Sequence, residues 1–206
     1  GPDGRKRLYL VGGIIATVIA LVAAGGFAWV VTRDSDSRPD GGDAPAPAGQ
    51  WERKADLPVS VEGTAVAAYK DKLWVAGGQR DDGKRTKISE VFVYDPASDT
   101  WSNGPPLPRQ TSHAALVPTP TGLYFIAGWV QDGGSTQVLR LNDAGTGWDE
   151  QAPLPETRVN GVGGYNGKDL IYAGGTRQGG ASTDTVWALR TDGWVEIGKL
   201  YLPRFK

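Results

Sequence analysis

One histidine, His113, and no cysteine or methionine stand among the 206 residues. Those counts exclude thiolate zinc sites, iron–sulfur clusters, disulfide scaffolds and cysteine nucleophiles from this chain. His113 is the one side chain that could serve as a general base at neutral pH, but no acid is fixed near it by the sequence. With Ser112 before it, at the start of an apolar strand, it is expected to be a hydrogen-bonded residue lining a channel. The loops Asp81-Asp82-Gly83 and Asp132-Gly133-Gly134 lack the spaced oxygen ligands of a calcium loop and are expected to be turns. No metal and no cofactor are expected. What remains is binding chemistry. Arg80, Arg109, Arg158, Arg177, Gln178 and Trp129 offer charge, amide donors and an aromatic surface, and an arginine fork suits a carboxylate or an acidic peptide. A formal net charge of −1 gives no electrostatic case for nucleic acid.

Those side chains need a scaffold, and the sequence shows one by repeating itself. Trp51, Trp101, Trp148 and Trp194 recur at separations of 50, 47 and 46 residues. An apolar strand ending in glycine recurs in phase as Leu73–Gly78, Leu123–Gly128 and Leu170–Gly175, the middle copy keeping one glycine of the pair. A further strand pattern follows at Val91–Tyr94, Val138–Leu141 and Val186–Leu189, and a Leu-Pro dipeptide begins at Leu57, Leu107, Leu154 and Leu202. Each copy also contains a strand of small residues, at Thr64–Tyr69, Ala114–Val117 and Gly161–Tyr165, as the crowded centre of a ring requires. With 30 Gly and 14 Pro the chain is turn-rich, which points away from helical bundles.

The glycine pair after an apolar strand, then Tyr94, then Trp101 in YDPASDTW resembles the kelch repeat; later copies put Leu141 and Leu189 in place of the Tyr. The resemblance covers Trp51 to the C-terminus and implies an all-β fold, a kelch β-propeller of four-stranded antiparallel blades. Three blades are expected over 51–206, with Trp51 as a lone outer strand closing a final blade, and the ring incomplete, since a propeller needs roughly four to eight. In kelch propellers that bind peptides, an arginine in the segment after Leu-Pro commonly faces the ligand. Arg158 stands at the matching offset, where the other copies have Val61 and Thr111, while Arg109 and Arg204 follow the Pro directly.

In such a blade the turns at Asn166-Gly167, Asp192-Gly193 and Tyr94–Trp101 share one face and are short. The opposite face carries the longer loops 79–89, 129–136 and 176–183 and the lead-in segments 59–63, 109–113 and 156–160. That face is expected to bind, its ligand a protein, a peptide or a carbohydrate.

Upstream, residues 8–32 read as a transmembrane helix. The stretch Leu8–Val31 has no charged residue, and its 24 positions span roughly 36 Å. Arg5, Lys6 and Arg7 in the 1–7 flank place the N-terminus in the cytoplasm and the remainder outside the cell membrane. A cleaved signal peptide is the alternative, with small residues at 24–28. Gly12, Ala16, Ala20 and Ala24 line one face and suggest a helix-mediated homodimer. Residues 33–50 have no large apolar side chain and are expected to be a disordered linker. A chain opening on Gly1 with no Met is expected to be a piece of a longer one. Basic flank, helix, tether and outer propeller look like the layout of a bacterial receptor Ser/Thr kinase, although no kinase residue is present. Two function classes follow: an extracytoplasmic binding or sensing module on a single-pass anchor, or a kelch-type enzyme resembling copper radical oxidases or sugar mutarotases. The oxidase chemistry needs a Cys-linked Tyr, and the chain supplies no Cys.

Overall fold

Leu123-Tyr124-Phe125-Ile126 is apolar at every position because its strand is covered on both sides. Leu123 and Phe125 face one neighbouring sheet, while Tyr124 and Ile126 face the other. The computed structural model describes Gly49 and residues 51–206, so the expected span 8–32, its small-residue stripe and nearly all of the 33–50 linker lie outside the described residues. Among the described residues no helix is long and apolar enough to cross a membrane. Lys54–Lys206 forms one compact unit, separate from the residues before it.

That unit is built of sixteen short strands. In the first repeat these are β1 (Val61–Glu62), β2 (Ala65–Tyr69), β3 (Lys72–Ala76), β4 (Gln79–Arg80), β5 (Val91–Asp95) and β6 (Thr100–Asn103). The second holds β7 (Ala115–Thr119), β8 (Gly122–Ile126), β9 (Trp129–Val130), β10 (Gly133–Gly134), β11 (Val138–Leu141) and β12 (Trp148–Glu150). The third holds β13 (Val162–Tyr165), β14 (Leu170–Ala173), β15 (Thr185–Arg190) and β16 (Gly193–Lys199). Three antiparallel four-stranded sheets result, in the orders β2-β3-β5-β6, β7-β8-β11-β12 and β13-β14-β15-β16. These are the three expected blades. One apolar cluster joins blades 1 and 2 through Ala65, Ala67, Leu116 and Phe125, and another joins blades 2 and 3 through Val117, Ile126, Tyr172 and Trp187.

The glycine pair is explained by what a side chain would strike. A Cβ at Gly77 would lie 2.3 Å from the Thr111 carbonyl oxygen, and one at Gly78 would lie 2.9 Å from that of Glu62. Both residues also have positive φ, 62° and 109°. In the middle copy Ala127 accepts φ of 61°, while Gly128 has φ of 101° and an added Cβ there would lie 2.8 Å from the Ser112 carbonyl oxygen.

Trp51, expected to be a lone outer strand, lies in no strand and is 82% exposed; the final blade that it would close is not among the three described sheets. The Leu-Pro at Leu202 is out of phase. The backbone N–H groups of Leu107 and Leu154 donate to Ser89 and Thr136, and it is Leu200 that makes the matching bond, to Asp184. Leu200 packs under Gly174 as Leu107 packs under Gly77.

Candidate functional site

On the long-loop face each lead-in segment runs antiparallel to the stretch after the glycines of its own blade. The pairs are Glu62↔Gln79, Ser112↔Trp129 and Val159↔Thr176, each 17 residues apart. The lead-in also pins the preceding blade. Gly78, Gly128 and Gly175 donate their N–H groups to the carbonyls of Thr111, Arg158 and Arg204 at 2.8, 3.1 and 2.8 Å. Two residues on, the N–H groups of His113, Asn160 and Lys206 donate to Gly63, His113 and Asn160. One backbone bond per blade boundary thus forms a chain across the three repeats. Gly63, His113 and Asn160 all take positive φ, 62°, 57° and 58°. That conformation suits Gly and Asn, and it tilts the His113 ring against Gly63, where an added Cβ would lie 2.7 Å away.

The expected site residues separate into three groups. Trp129, His113, Arg177 and Gln178 come together on this face. Trp129 is 46% exposed, with its ring 6.2 Å from that of His113 and the Lys87 ammonium 5.1 Å above it. It forms a wall shared by two clefts. One, of about 420 Å³, is lined by Glu62, Gln79, Lys84, Arg85, Lys87 and His113; the other, of about 310 Å³, by Val159, Asn160, Thr176, Arg177, Gln178 and neighbouring glycines. The His113 Nδ1 lies 2.9 Å from the Ser112 hydroxyl. Burial holds the His113 imidazole below its usual range; the Glu62 carboxylate opposes this, and Lys206, Lys87 and Arg85 reinforce it. Asp82 builds the 81–87 loop by accepting from the Thr86 hydroxyl at 2.7 Å and from the Lys84 N–H at 2.9 Å, and the Thr86 bond leads in holding its carboxyl below the usual range. Lys84, Arg85 and Lys87 border the cleft because of that turn, a role the sequence did not disclose although the Asp-Gly turn was legible.

Arg80 and Arg109 stand apart. Arg80 donates to Glu90 at 2.7 Å, and Arg109 lines a separate groove with Thr136, Gln137 and Glu150.

Arg158 is corrected most. Its side chain is fully buried, so its guanidinium is not presented to solvent. It stacks 4.4 Å from the Trp187 ring centre and donates to Glu156 at 2.5 Å and to the Thr157 carbonyl at 3.1 Å. Glu156 also lies 3.3 Å from Arg177, and the Arg158 hydrogen bond leads in holding its carboxyl below the usual range. Arg204, expected at a neighbouring offset, takes the Arg158 place in the backbone pattern.

Four-stranded blades set side by side, with loops gathered on one face, define a β-propeller-type repeat protein. Residues 62–108 match the Kelch motif. It is 28% identical over 156 residues to human Kelch repeat and BTB domain-containing protein 13, covering 75% of this chain and 34% of that one. Mouse Kelch-like protein 35 is 32% identical over 123 residues, 54% of this chain and 21% of that one. The chain therefore spans about a third or less of these curated relatives. Its fold is similar to that in "Structure of YjhT", with a TM-score of 0.67 at 15% identity over 76% of this chain and 57% of that one.

Proposed function

We propose that this kelch-repeat chain is a protein-binding module whose ligand sits on the long-loop face over Trp129. The observation that carries the reading is the half-exposed indole, fixed by its backbone pairing to Ser112 and bordered by clefts on two sides. A rigid aromatic that loses little freedom on binding is the usual centre of a protein interface. Local bonds within the short turns, such as Asn166 accepting from Lys168 and Asp169 and Asp95 accepting from Ala97, leave the opposite face fewer free groups. The uncharged 8–31 stretch supports a reading in which the module is held outside the membrane as a sensor.

A photo-crosslinking side chain placed at position 129 should capture the protein that co-purifies with the chain from its own cells, and one at position 192 should not. The reverse pattern would put the ligand on the other face. Reporter fusions should be cytoplasmic before Arg5 and external after Gln50; a secreted product cut near Ala28 would remove the anchor.

A further inference from the structure

Trp129 separates two clefts of unlike chemistry, and that contrast constrains the ligand. The cleft toward blade 1 is cationic. Glu62 is its one carboxylate, already accepting from Gln79 Nε2 at 2.7 Å and lying 3.7 Å from the Arg85 guanidinium. Among the described residues Lys84 and Lys87 have no carboxylate partner. Lys87 spends its charge over the indole face, an interaction weaker than a charge-assisted hydrogen bond to an incoming carboxylate. The buried Arg158 cannot take that role.

The cleft toward blade 3 is mainly apolar. Its one charged side chain, Arg177, lies 3.3 Å from the Glu156 carboxylate, which Arg158 also holds. Val159 and the indole supply apolar surface, and Gly133, Gly179 and Gly180 have nothing within 4 Å of where a Cβ would stand, so the walls leave room for a large side chain.

We infer that the ligand offers an extended segment in which an acidic side chain, seated among Lys84, Arg85 and Lys87, and a large apolar side chain, seated against Val159 and the loop glycines, lie on either side of a residue packed on Trp129. This rests on the reading of the long-loop face as the binding face. A lone acidic stretch would leave the mainly apolar cleft empty, and a lone apolar one would leave two lysines uncompensated. Bipartite recognition follows from having both clefts on one indole.

The test uses the full chain and immobilised Gly–Ser peptides carrying one aspartate and one leucine at graded separations. One separation should be retained about tenfold better than its Asn-for-Asp or Ala-for-Leu counterparts, as the gain of a charge-assisted contact or a buried leucine predicts. Lys87→Ala should erase the preference for Asp over Asn while keeping that for Leu over Ala. Val159→Ser should do the opposite. The exposed Lys84→Ala, which touches no core residue, should weaken the Asp preference with the unfolding curve unchanged. Raising the salt should lower the Asp preference alone. Equal retention of Asp and Asn peptides, or of Leu and Ala peptides, overturns the inference. If crosslinks from position 129 persist in that case, the binding face stands and only the ligand chemistry fails. If Trp129→Ala leaves retention of every peptide unchanged, the face fails too.

Discussion

A guanidinium with no exposed surface has exchanged water for whatever the fold supplies, and Arg158 receives a carboxylate, a carbonyl and an indole face. Removing one partner of a buried pair costs more than the pair contributes, because the other charge stays behind. Glu156 keeps Arg177 at 3.3 Å, which softens the loss. Arg158→Ala should therefore lower stability by about 3 kcal/mol, read as a shift of the urea midpoint, and a change within about 0.5 kcal/mol would mark the site as an ordinary surface position. The resemblance to kelch propellers expects Arg158 to face a ligand, whereas its burial makes folding the first thing it serves. The offset after Leu-Pro was legible; the depth was not, because Trp187 comes under the guanidinium from β15, nearly thirty residues away. The same triad makes stability depend on pH. The folded Glu156 carboxyl titrates below its ordinary 4.5, so its stabilisation is present above pH 4.5 and is lost as pH falls through the lowered folded value. Glu156→Gln should be less stable than the parent at pH 7, and the gap should shrink as acid is added below pH 4.5; a gap constant across that window would show that the carboxylate charge is not what Arg158 holds.

At the scale of elements, the recurring tryptophans do more than pack. The indole N–H groups of Trp101, Trp148 and Trp194 donate to the carbonyls of Ala55, Pro105 and Ala152 at 2.9, 2.9 and 2.8 Å. Each latch ties an outer strand to the segment two residues before the lead-in leucine. Trp101, Trp148 and Trp194 stand six residues before Leu107, Leu154 and Leu200. That constant interval was available in the sequence, and following it in place of the Leu-Pro dipeptide would have found Leu200. Strand positions were legible because apolar runs and glycine pairs record two-sided burial directly. The β1–β4 and β9–β10 pairings were not, since two-residue ribbons carry no periodicity. Gly161, at the head of β13, tests how tightly blade 3 is closed: a Cβ there would meet the Tyr172 phenol oxygen at 2.4 Å. The buried Tyr172 ring cannot move aside, and its burial also pushes the hydroxyl pKa upward. Gly161→Ala should cost about 1 to 3 kcal/mol through overpacking. Gly164→Ala, in the same strand with open space around it, should be nearly neutral. Equal thermal shifts for the two would mean that helix- or strand-independent backbone freedom, not the Tyr172 contact, selects glycine at 161.

For the three-blade unit as a whole, cover is uneven. Blade 2 is packed on both faces, and Leu123, Phe125, Ile126 and Leu139 are fully buried. In blade 1, Ala65 and Ala67 turn toward blade 2 while Val66, on the other face, is 50% exposed. In blade 3 a Cβ at Gly163 would touch Val117 of blade 2, so its neighbour Val162 faces away and is 56% exposed, with Val195 and Ile197 also exposed. Part of the outer face of blade 1 is capped by Leu57, Val59 and Val61, which pack on Val75, Ile88 and Phe92. Blade 3 has no equivalent cap among the described residues. Apolar strand surface of this kind drives association, and β-sheet edges beside it give the contact direction. Sedimentation velocity on residues 51–206 should therefore show association that grows with concentration. Val162→Thr with Ile197→Thr keeps the β-branched shape, adds a hydroxyl to the uncovered face and should weaken association while leaving the blade 1–blade 2 cluster intact. The same two changes should leave amide exchange slowest in β8 and β11, the strands covered on both sides, because global protection resides where cover is complete. A segment that stays monomeric at every concentration, with exchange as slow in β16 as in β8, would mean that the faces bearing Val162 and Ile197 are satisfied by water and that blade 3 draws its stability from its own four strands.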